Sequence, residues 1–176
     1  GGPFPPFTPP GQLISIALID AGLQLTDGLI EFRLRPDGLL ELQQAEWQWA
    51  GGVVRTAGVV DPMADSQQFV LEVEGVELEE LLALVDLNGL EGRGTLEGEI
   101  PIFRSGEVVE IRDAELRGGP EGGRIRYRPG PSVRALATRE QGMELLFGAL
   151  EDFRYDALRL TVDGDARGDV NLSVHL

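Results

Sequence analysis

Gly89–Ile102, GLEGRGTLEGEIPI, sets four glycines among leucines, isoleucines and glutamates. Such glycine density serves either a phosphate-binding loop or a bent strand, and the choice decides the fold. A Walker loop needs a lysine to reach the phosphates, and this chain has no lysine. A dinucleotide fingerprint opens a helix after a strand, whereas GLEGRG runs into Thr95 and an alternating pattern. Glu91, Glu97 and Glu99 would also repel a phosphate. The architectural reading stands: glycine within a strand marks a bulge, a bend or the close approach of another backbone. Gly92, Gly94 and Gly98 take that role. Leu96, Gly98, Ile100 and Ile102 share one face, and Pro101 belongs on an edge or beside a bulge.

Period-2 alternation extends outward from this stretch. Ile30, Phe32 and Leu34 alternate with Glu31, Arg33 and Arg35 before a PDG turn at 36–38. Leu40 and Leu42 follow, then Trp47 and Trp49, which read as lining an apolar sheet face rather than as a sugar-stacking platform. Phe69, Leu71 and Val73 lie on one face. Leu158, Leu160 and Val162, then Val170, Leu172 and Val174, flank a polar loop. This is the mark of strands with one apolar and one wet face. Helical spacing predicts two short amphipathic helices, one over 76–85 and one over 142–153. A weak repeat relates 32–56 to 100–127, each running strand, glycine turn, strand ending in Ala-Glu, glycine pair, short strand. It predicts an antiparallel meander growing along one axis.

The 176 residues are 42% hydrophobic, enough for a real core, while 24 glycines, 11 prolines and 6% aromatics favour short strands and turns. Thirty acidic residues against 15 arginines give a net charge of -15, which disfavours nucleic acid and an anionic lipid surface. No cysteine is present, so disulfides and thiolate metal sites are excluded. No run approaches the roughly 18 apolar residues of a membrane helix. The proline-rich residues 1–10 read as a tail or linker, and 11–176 as a single β-rich domain, the C-terminal segment of a longer protein.

Residues 89–130 resemble a module of the YdbH-like family, a branch of the AsmA-like bacterial envelope proteins. Gly92, Gly94, Gly98, Ile100 and Pro101 match its glycine-punctuated strand, and Gly123, Ile125, Arg126 and Tyr127 match its glycine before Ile-Arg-Tyr. Residues 149–163 are similar through Leu150, Phe153, Tyr155 and Leu158. The resemblance implies a periplasmic protein of a Gram-negative bacterium whose long sheet curls into an open apolar trough, flanked here by the two helices. Its parent would be anchored in the inner membrane by a helix absent here. The implied function is non-enzymatic conduction of phospholipid between inner and outer membrane, with a small outer-membrane lipoprotein joined by strand addition. The implied lining is Phe32, Leu34, Leu96, Ile100, Ile102, Ile125, Tyr127, Leu158, Leu160, Val162, Val170, Leu172 and Val174. The alternative is a structural module with a closed core that docks a partner strand and passes no lipid. The family's older label, dicarboxylate transport, finds no cluster of arginines or amides in the sequence.

Catalysis and cofactors find little footing. DGDARGD (163–169) resembles the start of a calcium loop, but Arg167 occupies a ligand position and Val174 stands where a bidentate glutamate is needed; a hairpin turn is expected. His175 is the only histidine, which forbids a histidine triad or a two-histidine metal site within the chain. The pairs Glu97/Glu99 and Asp113/Glu115 are expected simply to face water. No metal or cofactor is expected.

Overall fold

Alternating residues commit nearly every described segment to strand. The computed structural model describes residues 11–20, 24–85, 89–106, 108–128, 130, 151–165 and 170–175. In chain order these form β1 (Gln12–Asp20), β2 (Gln24–Leu34), β3 (Leu40–Trp49), β4 (Gly52–Val60), β5 (Ser66–Glu77), α1 (Leu78–Val85), β6 (Leu90–Arg93) and β7 (Thr95–Ser105). There follow β8 (Val108–Gly118), β9 (Gly123–Tyr127), β10 (Phe153–Tyr155), β11 (Arg159–Asp165) and β12 (Val170–His175).

Nine strands form one sheet in the order β1-β2-β3-β4-β5-β7-β8-β11-β12, and a three-stranded sheet has the order β10-β9-β6. Every pairing is antiparallel. The large sheet is therefore a meander that the chain leaves twice. After β5 it departs through α1 and β6 and returns as β7; after β8 it departs through β9 and β10 and returns as β11. Those excursions build the second layer. Backbone bonds tie the layers at the crossing points: Leu78 N–H donates to Gly94 O (3.0 Å) and Gly118 N–H to Leu158 O (2.8 Å).

The expected curled trough with two helices is not what forms. Both sheets are flat and open, β1 and β12 do not pair with each other, and α1 is the one helix among the described residues. Alternation dictates which face of a strand is apolar, but curling a sheet also requires a fixed stagger between strands, which no local pattern encodes. The helix expected at 142–153 falls mainly outside the described residues; its expected end does not, and there Phe153 opens β10. The first helix begins two residues later than its spacing suggested, because Val76 and Glu77 still pair with Leu96 and Thr95 in the sheet.

The repeat is visible in space and breaks in an informative place. β2-β3-β4 and β7-β8-β9 follow the same order of parts along the chain. Ala45 and Ala114 each follow a register shift and are each fully buried. β4 then pairs with β3, whereas β9 leaves for the small sheet and β11 takes the place beside β8. The shift at Leu42/Ala45 also explains why Leu40 and Leu42 share a face with Trp47 and Trp49 despite opposite parity.

One core joins the layers. Val54, Val76, Leu96, Leu116 and Leu160 from the large sheet meet Leu78 and Leu82 of α1, with Ile125 and Tyr155 of the small sheet in the same cluster. Burying each such aliphatic side chain contributes about 1.5–3 kcal/mol.

Candidate functional site

Residues directly opposite one another in antiparallel strands share a face, so register alone shows whether the apolar residues form one surface. They do. Phe32 faces Leu42 and Leu34 faces Leu40; Phe69 faces Ile102, which faces Ile111; Leu71 faces Ile100; Leu116 faces Leu160 and Ala114 faces Val162. The surface is graded. Leu96, Ile100, Ile102 and Leu160 are buried, whereas Phe32, Leu34, Phe69, Ile111 and Val162 are half-buried. Val170, Leu172 and Val174 lie in β12, in register with Gly164, Val162 and Leu160. Three residues of the expected lining lie elsewhere. Ile125 and Tyr127 belong to β9 of the small sheet, and Leu158 precedes β11, buried in the core.

Trp47 and Trp49 are 6% and 4% exposed and belong to the core, and their indole N–H groups have no partner among the described residues. Trp47 lies against Gly28, where a Cβ would come 2.5 Å from its Cδ1.

The opposite face of the large sheet is mainly charged and wet, with Leu29, Val59 and Val70 exposed among the charges. Glu97 and Glu99 are exposed there, with Glu99 between Glu72 and Glu115 in the ladder. Arg117 donates to Glu115 (2.7 Å), and this bond, supported by Arg159, holds the Glu115 carboxyl below the ordinary carboxylate range. Asp113 does not sit beside Glu115 as a second acid. It bulges from β8 at φ 53°, and its N–H donates to the Asp163 carboxylate (2.7 Å). Asp163 is also the first position of the calcium-loop comparison, whose positions 166–169 lie outside the described residues. No group of three or more His, Cys, Asp or Glu able to hold a metal occurs among the described residues.

A family model described as "YdbH-like: Intermembrane phospholipid transport protein YdbH" matches residues 3–176. The chain belongs to the YdbH-like family. Comparison with curated proteins and with solved structures returns no match. Membership links the chain, at the level of the family, to phospholipid transport between membranes.

In this YdbH-like chain the glycines sit where other residues approach. A Cβ on Gly92 would lie 2.6–2.8 Å from Leu78 and Leu82, so its absence seats α1 on β6. Gly94 has φ 129°, a conformation L side chains rarely adopt, and a Cβ there would meet the Tyr155 hydroxyl at 2.5 Å. Added Cβ atoms on Gly98 and Gly123 would strike the backbone oxygens of Glu115 and Arg93. Pro101 occupies an interior strand, paired with Val70, and lies within the register shift between Glu99 and Ile102.

The small sheet carries a feature the sequence hid. Its core-side residues are Leu90, Gly92, Gly123, Ile125, Phe153 and Tyr155; its other face carries Glu91, Arg93, Arg124, Arg126 and Arg154. Arg93 faces Arg124, which faces Arg154, so three arginines from distant positions form one cross-strand row. Beside them opens a cavity of about 440 Å³, lined by Arg93, Arg124 and Arg126 and by Leu82, Ala83 and Leu90. Alternation in RIRYR (124–128) hints at part of this cluster; Arg93 and Arg154 join it only through register.

Proposed function

We propose that the chain is a non-enzymatic segment of an envelope-spanning bridge, and that phospholipid acyl chains pass along the apolar face of its nine-stranded sheet. The observation that carries this reading is the half-buried end of that face. Phe32 and Leu34 in β2, Phe69 in β5, Ile111 in β8 and Val162 in β11 are apolar and incompletely covered. A surface of this kind is favourable for hydrocarbon, at about 0.8 kcal/mol per buried methylene, and asks for no hydrogen bonds. The buried residues Leu96, Ile100, Ile102 and Leu160 act as the packed base of the path, and Val170, Leu172 and Val174 continue its parity toward the sheet edge. Gly92, Gly94, Gly98, Pro101 and Gly123 serve the architecture, holding α1 and the small sheet against that base.

In the same reading the setting is the periplasm of a Gram-negative bacterium. A small outer-membrane lipoprotein adds a strand at an edge of the sheet, where unpaired backbone groups favour β-augmentation. The competing scaffold reading draws on the buried end of the face, where Leu96, Leu116 and Leu160 form a dry core. The two separate by mass spectrometry of phospholipid co-purifying with the full-length protein. The bridge reading expects Phe69→Asp to deplete bound phospholipid and Gln68→Asp, on the wet face, to leave it unchanged. Equal phospholipid in both variants, each folded by circular dichroism, would favour the scaffold.

A further inference from the structure

We infer that the arginine row of the small sheet is a binding site for a phosphate-class oxyanion, the headgroup phosphate of a phospholipid being its source. The inference rests on the lipid-passage reading only for that source. Like charges placed directly opposite in a ladder destabilise a sheet, and here Arg93, Arg124 and Arg154 lie side by side on three neighbouring strands. Neighbouring strands are about 4.8 Å apart, so the outer two stand roughly 10 Å apart, within which flexible guanidinium arms can converge on one anion.

Arg93, Arg124, Arg126, Arg128 and Arg154 gather at the small sheet, with Glu91 and Asp152 as ion-pair partners and Glu79 lining the cavity beside them. Two of these acids are already engaged. Asp152 pairs with Arg124 at 2.8 Å and approaches Arg126 at 3.9 Å, and Glu91 lies 3.8 Å from both Arg126 and Arg128. Arg93 and Arg154 are exposed and have no ion pair among the described residues.

Chemistry then selects the ligand. Guanidinium forks match the non-bridging oxygens of a phosphodiester bidentately, and its tetrahedral phosphorus directs those two oxygens out of the plane of its ester oxygens, so more than one fork can engage it. The adjoining cavity adds Leu82, Ala83 and Leu90 beside the arginines, room for the glycerol end of a lipid next to its phosphate. An arginine cluster, absent from any single stretch of sequence, is thus assembled by strand register.

The test titrates the folded chain with glycerol phosphate and, separately, with inorganic phosphate, following the arginine side-chain N–H resonances by NMR. Shifts are expected at Arg93, Arg124 and Arg154. Because Arg93 and Arg154 are exposed, the variant Arg93→Gln/Arg154→Gln should keep its fold and bind glycerol phosphate at least about tenfold more weakly. Tighter binding of glycerol phosphate than of inorganic phosphate supports the lipid source; equal binding supports the oxyanion site and overturns the lipid source. No shift, or shifts unaltered in the double variant, would overturn the site. Lipid depletion by Phe69→Asp in a chain that shows no arginine shifts would reject this inference and leave lipid passage standing; shifts without such depletion would do the reverse.

Discussion

Gly28→Ala isolates one packing contact in the large sheet. Gly28 in β2 is buried, and the indole of Trp47 in β3 occupies the space a side chain would need. An added methyl would lie 2.5 Å from Trp47 Cδ1, about 1 Å inside the ordinary carbon–carbon separation of roughly 3.5 Å. No positive φ complicates the substitution at this glycine, so the cost is steric, about 1–3 kcal/mol. Trp47→Ala alone should cost about 3–5 kcal/mol through the lost ring and its cavity. In that background the Gly28 methyl enters the vacated space, and its cost should fall below about 1 kcal/mol, the remainder being its 3.1 Å approach to the Ile16 carbonyl. The coupling energy is therefore about 1–2 kcal/mol. Urea denaturation of all four proteins by far-ultraviolet circular dichroism measures it. Equal Gly28→Ala costs in both backgrounds would refute the assigned contact.

Three further outcomes follow from the second layer and the wet face. Gly123→Ala should destabilise the chain by about 1–3 kcal/mol in urea denaturation, because the methyl meets the Arg93 carbonyl of the paired strand, which cannot retreat as a side chain could. Tyr155→Phe removes the hydroxyl that donates to Arg93 O at 3.2 Å and should cost about 1 kcal/mol. Burial raises the Tyr155 hydroxyl pKa, so the neutral form contributes stability that is present below the ordinary tyrosine value and lost as pH rises through the raised one; the phenylalanine variant should lack that alkaline loss. The Glu115 carboxyl is depressed by the Arg117 bond, so its contribution is present above the ordinary carboxylate value and lost as pH falls through the lowered one. Acid titration of Glu115→Gln should show a flatter decline than the parent, and identical curves would remove Glu115 from the account.

Strand identity and facing were legible because they depend on neighbours one and two residues away. Phe32, Leu34, Phe69, Leu71 and Ile100 needed only alternation to be placed on one face. The glycines of GLEGRGTLEGEIPI were legible as architecture for a similar reason: the absence of lysine and the strand pattern after Thr95 are local facts. What failed is long-range. Ile125 and Tyr127 alternate as well as any sheet residue, yet alternation does not say which sheet a strand joins, and β9 departs for the second layer. The flatness of the sheet depends on stagger across nine strands and not on any one of them. The arginine row depends on three registers at once, which no window of sequence contains.

Lipid passage over one face of the large sheet is tested most directly by photo-crosslinking in the full-length protein in cells. The probe is placed at Phe69, on the apolar face, and then at its neighbour Gln68, on the wet face. The account predicts phospholipid adducts at 69 and none at 68. Folded, functional protein with no adduct at either position, or with equal adducts at both, would contradict it.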